Sequence, residues 1–145
     1  MVIYDPKDEV RFRRRLAEGF LTEAERSLSM RDWRGVVSYS QLAVENAAKA
    51  IIALFRAPSW SHDPSRELLD VKELLPPDAR SLADKLANIA HELAPEHGRT
   101  TYGDPSLGLT PWDLYSEDDA KRCLAMAKKA IEIMKTILAY YKLNS

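Results

Sequence analysis

Between Asp32 and Arg56 the chain carries its densest apolar pattern. At about 100° per residue, Trp33, Val36, Val37, Ala43, Val44, Ala47, Ala50, Ile51, Leu54 and Phe55 cover a broad arc of one helix. An arc that wide predicts a central helix in contact with two or three neighbours. Opposite it run Arg34, Ser38, Gln41, Glu45 and Lys49, at steps of four, three, four and four, so that they form a narrow polar seam. Such a seam faces water, a partner or a site. The small residues Ala43, Ala47, Ala48 and Ala50 let neighbouring helices approach closely.

The remaining helices read off in the same way. Asp5-Pro6 is a start signal, with Asp as N-cap and Pro at the first helical position. Phe12, Leu16, Phe20, Ala24 and Leu28 then recur every fourth residue, and the short link from Met30 to Asp32 makes this helix the antiparallel partner of the central one. Pro58 stops the central helix near Arg56. Asp63-Pro64 repeats the start signal for a short helix through Leu68, Leu69, Val71 and Leu74. Pro76-Pro77-Asp78 launches another, with Leu82, Leu86, Ile89, Ala90 and Leu93 on one face, which Ala94-Pro95 ends. Ser116, followed by Glu117, Asp118 and Asp119, caps a last long helix whose stripe runs from Cys123 to Tyr141. The expected fold is all-α, an antiparallel up-and-down bundle of four to five helices in a single domain over 1–145.

One stretch has no period. Pro95 to Tyr115 places a glycine or proline every few residues and predicts a loop of about twenty residues. Loops of that length in compact domains are usually functional or mobile.

Composition adds exclusions. With 145 residues, 46% of them apolar, the chain suits one core, and a net charge of −1 gives no bulk attraction to nucleic acid or anionic membrane. Any such partner needs a local patch. Arg11, Arg13, Arg14 and Arg15 supply one candidate; the other reading is a solvated face braced by Glu9–Arg13 and Arg14–Glu18 pairs. The single Cys123 excludes an intrachain disulfide and falls on an apolar face, where a buried, inert thiol is expected. There is no signal-peptide pattern and no apolar run near eighteen residues, so a cytoplasmic protein with no membrane partner is expected.

The irregular stretch collects His97, Arg99, Tyr102 and Asp104, with His91 and Glu92 just before it. Metal-free RNA cleavage needs a base for the 2′-hydroxyl, a donor to the leaving oxygen and a cation on the phosphate. His97 suits the acid or base, Arg99 the phosphate clamp, and Tyr102 a donor or stacking face, provided the loop curls. Alternatively Arg99 pairs with Asp104 or Glu96 to pin the loop, and His97 caps a helix end. Glu45, with Gln41 and Ser38, is a second constellation. It holds Arg99 or Tyr102, meets another subunit, or lies exposed in a Glu45–Lys49 pair. His62, His91, His97 and Asp104 lack helical i,i+4 spacing and any metal motif, so no metal and no cofactor are expected. Trp60 and Trp112 fall in loops and read as lids on a small core ahead of nucleobase platforms.

Three segments, in order, resemble the HEPN domain proteins of bacteria and archaea. Ser38 to Phe55 (SYSQLAVENAAKAIIALF) is similar to that family's second-helix signature, and Ser61-His62-Asp63 with Leu68 to its Thr/Ser-His-Asp-Leu element. Arg99-Thr100-Thr101-Tyr102-Gly103-Asp104 resembles its Thr-Arg-Tyr-Pro-Asp loop. The resemblance implies an all-α homodimer that binds a nucleotide or RNA phosphate and works with a separately encoded minimal nucleotidyltransferase in a toxin–antitoxin or defence role. Arg99, Tyr102, Asp104, Glu45, Gln41 and His62 are then the expected phosphate-binding residues, and His97 and Arg99 the catalytic candidates. The alternatives are a metal-independent endoribonuclease and a non-catalytic interaction module. RNase members use an Arg followed four to six residues later by His; no His follows Arg99, and Arg56 and His62 straddle Pro58 outside the expected place. No transferase is built in, because no Gly-Ser element precedes paired aspartates.

Overall fold

In the computed structural model, residues 5–143 are described. Seven α-helices appear among them: α1 (Pro6–Ser29), α2 (Trp33–Ile52), α3 (Ser65–Val71), α4 (Arg80–Leu93), α5 (Glu96–Tyr102), α6 (Pro111–Leu114) and α7 (Glu117–Ala139). Four are long, α1, α2, α4 and α7, and these make the bundle. The only β pairing among the described residues is an isolated Asp104–Leu109 bridge. The all-α expectation therefore holds, with the expected short helix α3 present and two further short helices, α5 and α6, added.

The starts follow the sequence signals. The Asp5 carboxylate accepts from Lys7 N ahead of Pro6, and Ser116 and Asp119 form a reciprocal capping box at α7. Asp32 caps α2 by accepting from Gly35 N at 3.0 Å. α1 and α2 make the expected hairpin, but the inward stripe of α1 is Val10, Ala17, Ala24 and Ser27. Phe12 is more than half exposed and Leu16 only partly covered. The four-residue step drifts around a 3.6-residue helix, so the Phe12 end of that stripe rotates off the interface.

α2 sits at the centre, packed on α1, α7, α4, α5 and α3. Its residues from Ala43 to Ala53 are nearly all buried, in one core with Leu68, Leu86, Leu93, Met134, Ile137 and Leu138. The helix ends at Ile52, with Leu54 and Phe55 continuing as turns, a turn earlier than Pro58 alone predicts. No described helix is long and apolar enough to cross a membrane.

The irregular stretch needs correction. Pro95 to Tyr115 contains α5, a 3-10 turn at Pro105–Leu107 and α6. A seven-residue and a four-residue helix are too short to show a period, and the proline and glycine residues stand at their ends. Pro95 precedes α5, Gly103 ends it with φ 72°, and Pro111 opens α6 inside a Thr110–Asp113 capping box. Trp60 and Trp112 are not lids: they are 94% and 74% exposed.

Candidate functional site

The polar seam of α2 faces a site. Its lower half, Gln41, Glu45 and Lys49, is buried rather than exposed. A charged pair inside a core must be satisfied internally, and here it is. Lys49 Nζ lies 3.1 Å from Glu45 Oε2, Gln41 Nε2 donates to Glu45 Oε1 at 3.1 Å, and His62 Nδ1 reaches that same oxygen at 3.1 Å. The Glu45–Lys49 pair read as exposed is thus an interior ion pair.

α5 lies across this seam and adds His97. Its Nδ1 is 3.1 Å from Gln41 Oε1. Because the Gln41 amide nitrogen is the donor to Glu45, its oxygen is the acceptor for His97, which fixes the ring proton on Nδ1 and leaves Nε2 bare in the neutral form. The His62 and His97 rings stack with centroids 3.5 Å apart and planes inclined by 18°. Each ring is held through Nδ1 against a seam residue one turn from the other's. Burial first, then the His62 charge and Lys49, hold His97 below its ordinary value of 6.5, against the opposing pull of Glu45. His97 is therefore neutral at pH 7.

Higher on the seam, Arg34 Nη1 donates to Thr100 O at 2.8 Å, near the end of α5, and its guanidinium lies 5.8 Å from the Trp112 ring. Arg34 stands seven residues before Gln41, about 10 Å along the helix at 1.5 Å per residue. It therefore ties both α5 and α6 to α2 next to the histidine stack.

Of the predicted residues, Gln41, Glu45, His62 and His97 converge. Arg99, Tyr102 and Asp104 do not join them. His97 and Arg99 are two positions apart, about 200° around α5, and so occupy opposite faces. Arg99 lies 3.6 Å from Glu96, as one alternative held, and lines a cavity of about 110 Å³ with Tyr115, Asp119, Arg122 and Cys123. Glu45 holds neither Arg99 nor Tyr102. Tyr102 is 78% exposed, and Asp104 accepts from Ser106 Oγ at 2.6 Å, a bond that holds its carboxyl below the usual range. Arg56 pairs with Asp70 at 3.7 Å, so its spacing to His62 has no site behind it. In the basic run, Arg13 pairs with Glu9 at 2.9 Å and donates to Asn46, while Arg14 lies 3.6 Å from Glu18 and donates to Leu143 O. Arg11 and Arg15 stay exposed.

Sequence reasoning missed Lys49 as a buried counter-charge and the 2.8 Å contact of His91 Nδ1 with Asp63 Oδ2, which fastens the loop bearing His62 to α4. The first had a signal: a Gln41-Glu45-Lys49 ladder inside an alanine-rich helix. Tyr115 also went unsingled; its hydroxyl donates to Glu96 at 2.5 Å, and burial and that bond push its pKa well above the usual phenol range. Cys123 is buried as expected, with burial pushing its pKa up to about 11.

No curated protein and no solved structure matches the chain. A family model described as the HEPN domain matches residues 10–137, which takes in α2, the His62 loop, α5 and nearly all of α7. The chain, with its all-α bundle, belongs to the HEPN domain family.

Proposed function

We propose that this HEPN protein binds the phosphate of a nucleotide or RNA at the histidine stack on the α2 seam. The carrying observation is that His62 and His97 are anchored side by side through Nδ1. A bound phosphate favours the protonated ring, so His97, neutral in the empty site, gains a second N–H for phosphate oxygens beside His62, and charge-assisted donors bind such oxygens well. Trp112 and Tyr102, both largely exposed near the α5–α6 end, supply faces for a base. The expected setting is a homodimer acting with a separately encoded minimal nucleotidyltransferase, in a toxin–antitoxin or defence role.

The test is a thermal shift with an adenine nucleotide and with a short oligoribonucleotide, in EDTA at pH 6. Ligand at tenfold over Kd stabilises by about 1.4 kcal/mol, a rise of roughly 4–5 °C for a chain of this size. The rise should vanish in His62→Ala and His97→Ala and persist in Arg99→Ala. A shift that survives both histidine changes, or is lost only with Arg99, rejects this site.

A second reading has its own observation. His97, whose Nε2 is bare in the neutral form, stacks on His62, which contacts the Glu45 carboxylate, and two imidazoles side by side supply the proton-transfer groups that metal-independent endoribonuclease chemistry requires. Cleavage of labelled RNA in EDTA, lost in each histidine variant, distinguishes it from binding alone. If neither binding nor cleavage is seen, the interaction-module reading remains.

A further inference from the structure

The same seam carries a second chemistry that phosphate binding does not require. Glu45, His62 and His97 each offer one ligand atom, and these atoms all lie within 4.8 Å of one another. They come from α2, the α2–α3 loop and α5, so the tertiary fold assembles them. That is why sequence spacing gave no metal motif.

The distances fit a small ion. Glu45 Oε1 and His62 Nδ1 are 3.1 Å apart, and an ion bound between them displaces the proton they share, the His62 ring keeping its N–H at Nε2. Two ligands on a tetrahedral ion with bonds of about 2.0–2.1 Å stand about 3.3 Å apart. The supporting contacts fit as well. Gln41 Oε1 accepts from His97 Nδ1–H, which leaves Nε2 as the ligating nitrogen, and metal-bound histidines ordinarily donate their other N–H in this way. Gln41 Nε2 and Lys49 hold the Glu45 carboxylate in orientation.

We propose that Glu45, His62 and His97 form a site for a divalent transition-metal ion of the zinc class, with a fourth position open to water or a phosphate oxygen. The donor set selects the class. Two imidazoles and one carboxylate suit zinc, whereas magnesium and calcium favour all-oxygen sites and soft Cu(I) favours thiolates.

Two features shape the affinity. The Lys49 ammonium on Glu45 Oε2 repels a cation, so it weakens the site. The ring stack must also open: two imidazoles on one tetrahedral ion have centroids about 5 Å apart by the same bond lengths, against 3.5 Å here. His62 has room to move, because its side chain is 55% exposed on a loop.

The inference uses the residues of the phosphate reading but not phosphate, so a titration without nucleotide separates the two. Zn²⁺ is titrated calorimetrically into the full chain after chelator treatment. One ion per chain is expected, with Kd of about 100 µM or tighter, weakened at least about tenfold in His97→Gln, His62→Ala and Glu45→Gln. Asp104→Asn, which removes a carboxylate that bonds to Ser106 and stands apart from the three ligands, should leave it unchanged, and Lys49→Met should tighten it. Each variant is first checked for helical circular dichroism, and His97→Gln preserves the polar contact to α2. Co²⁺ should give the intense visible bands of a four-coordinate ion. Binding weaker than about 100 µM, unchanged affinity in His97→Gln and His62→Ala, or equal loss in Asp104→Asn overturns the site.

Discussion

Changing Lys49 to Met tests whether the interior of α2 is organised by one ion pair. Lys49 and Glu45 are 3% and 6% exposed, and their charged atoms are 3.1 Å apart. At an effective dielectric of about 20, that separation corresponds to roughly 5 kcal/mol of attraction, before the cost of removing both charges from water. Removing one partner of a buried pair typically costs about 3–5 kcal/mol, because the other charge is stranded. Methionine keeps the length and packing of the lysine stem, so the charge is what changes. Glu45 retains contacts with Gln41 and His62, which places the expected loss near the lower end, about 3 kcal/mol. Against a total stability of about 5–15 kcal/mol, that is a large fraction.

The control is the pair of changes together. Glu45→Gln alone strands Lys49 and should cost a similar amount. The double variant, Glu45→Gln with Lys49→Met, has no buried charge and should unfold within about 1 kcal/mol of the parent. Urea unfolding followed by circular dichroism in EDTA gives each free energy, with the slope confirming that the unfolded reference is unchanged. A Lys49→Met loss below about 1 kcal/mol, or single-variant losses that simply add in the double, refutes the argument.

Other outcomes follow from particular contacts. The unfolded chain binds a proton at His97 more readily than the folded one, so stability is fully present above 6.5 and is lost as pH falls below it; His97→Gln should flatten that acid-side slope in EDTA. Gly103→Ala should cost about 1–3 kcal/mol in thermal unfolding, since φ is 72° and an added Cβ would lie 2.2 Å from Leu109 O. In the proposed homodimer, Phe12 and Leu16 on α1 form the strip that a second copy covers, and Phe12→Glu should halve the mass seen by light scattering without altering the helical spectrum. Cys123 should resist a thiol reagent in the folded protein and react on unfolding.

The bundle was legible because long helices announce themselves. α2 and α7 each repeat their apolar face over five or six turns, and Asp5-Pro6 and Ser116 to Asp119 mark starts by local hydrogen bonds that need no tertiary context. The stripe on α1 went astray for a related reason. Phe12 and Leu16 are apolar and evenly spaced, yet small Ala17 and Ala24 sit inward, where α2 comes close. Periodicity reports where apolar residues are, not how near the neighbouring helix stands.

The site was half legible, and the division has a physical cause. Gln41, Glu45 and Lys49 share a helix, so their alignment follows from 3.6 residues per turn. His62 and His97 reach them through α3's leading loop and through α5, whose seven residues give no period to read. The rotation of α5 then decides everything, because one step of 100° separates a histidine turned to α2 from a neighbour turned away. Thr100, buried near the end of that turn, sets the rotation: its carbonyl accepts from Arg34 and its hydroxyl donates to Glu96 O. With Thr100 held on α2, His97 one turn earlier must face the seam, and Arg99 must face Tyr115 and Arg122 on the far side. The polar seam of α2 thus chooses its own partner, through Arg34 at one end and Gln41 at the other.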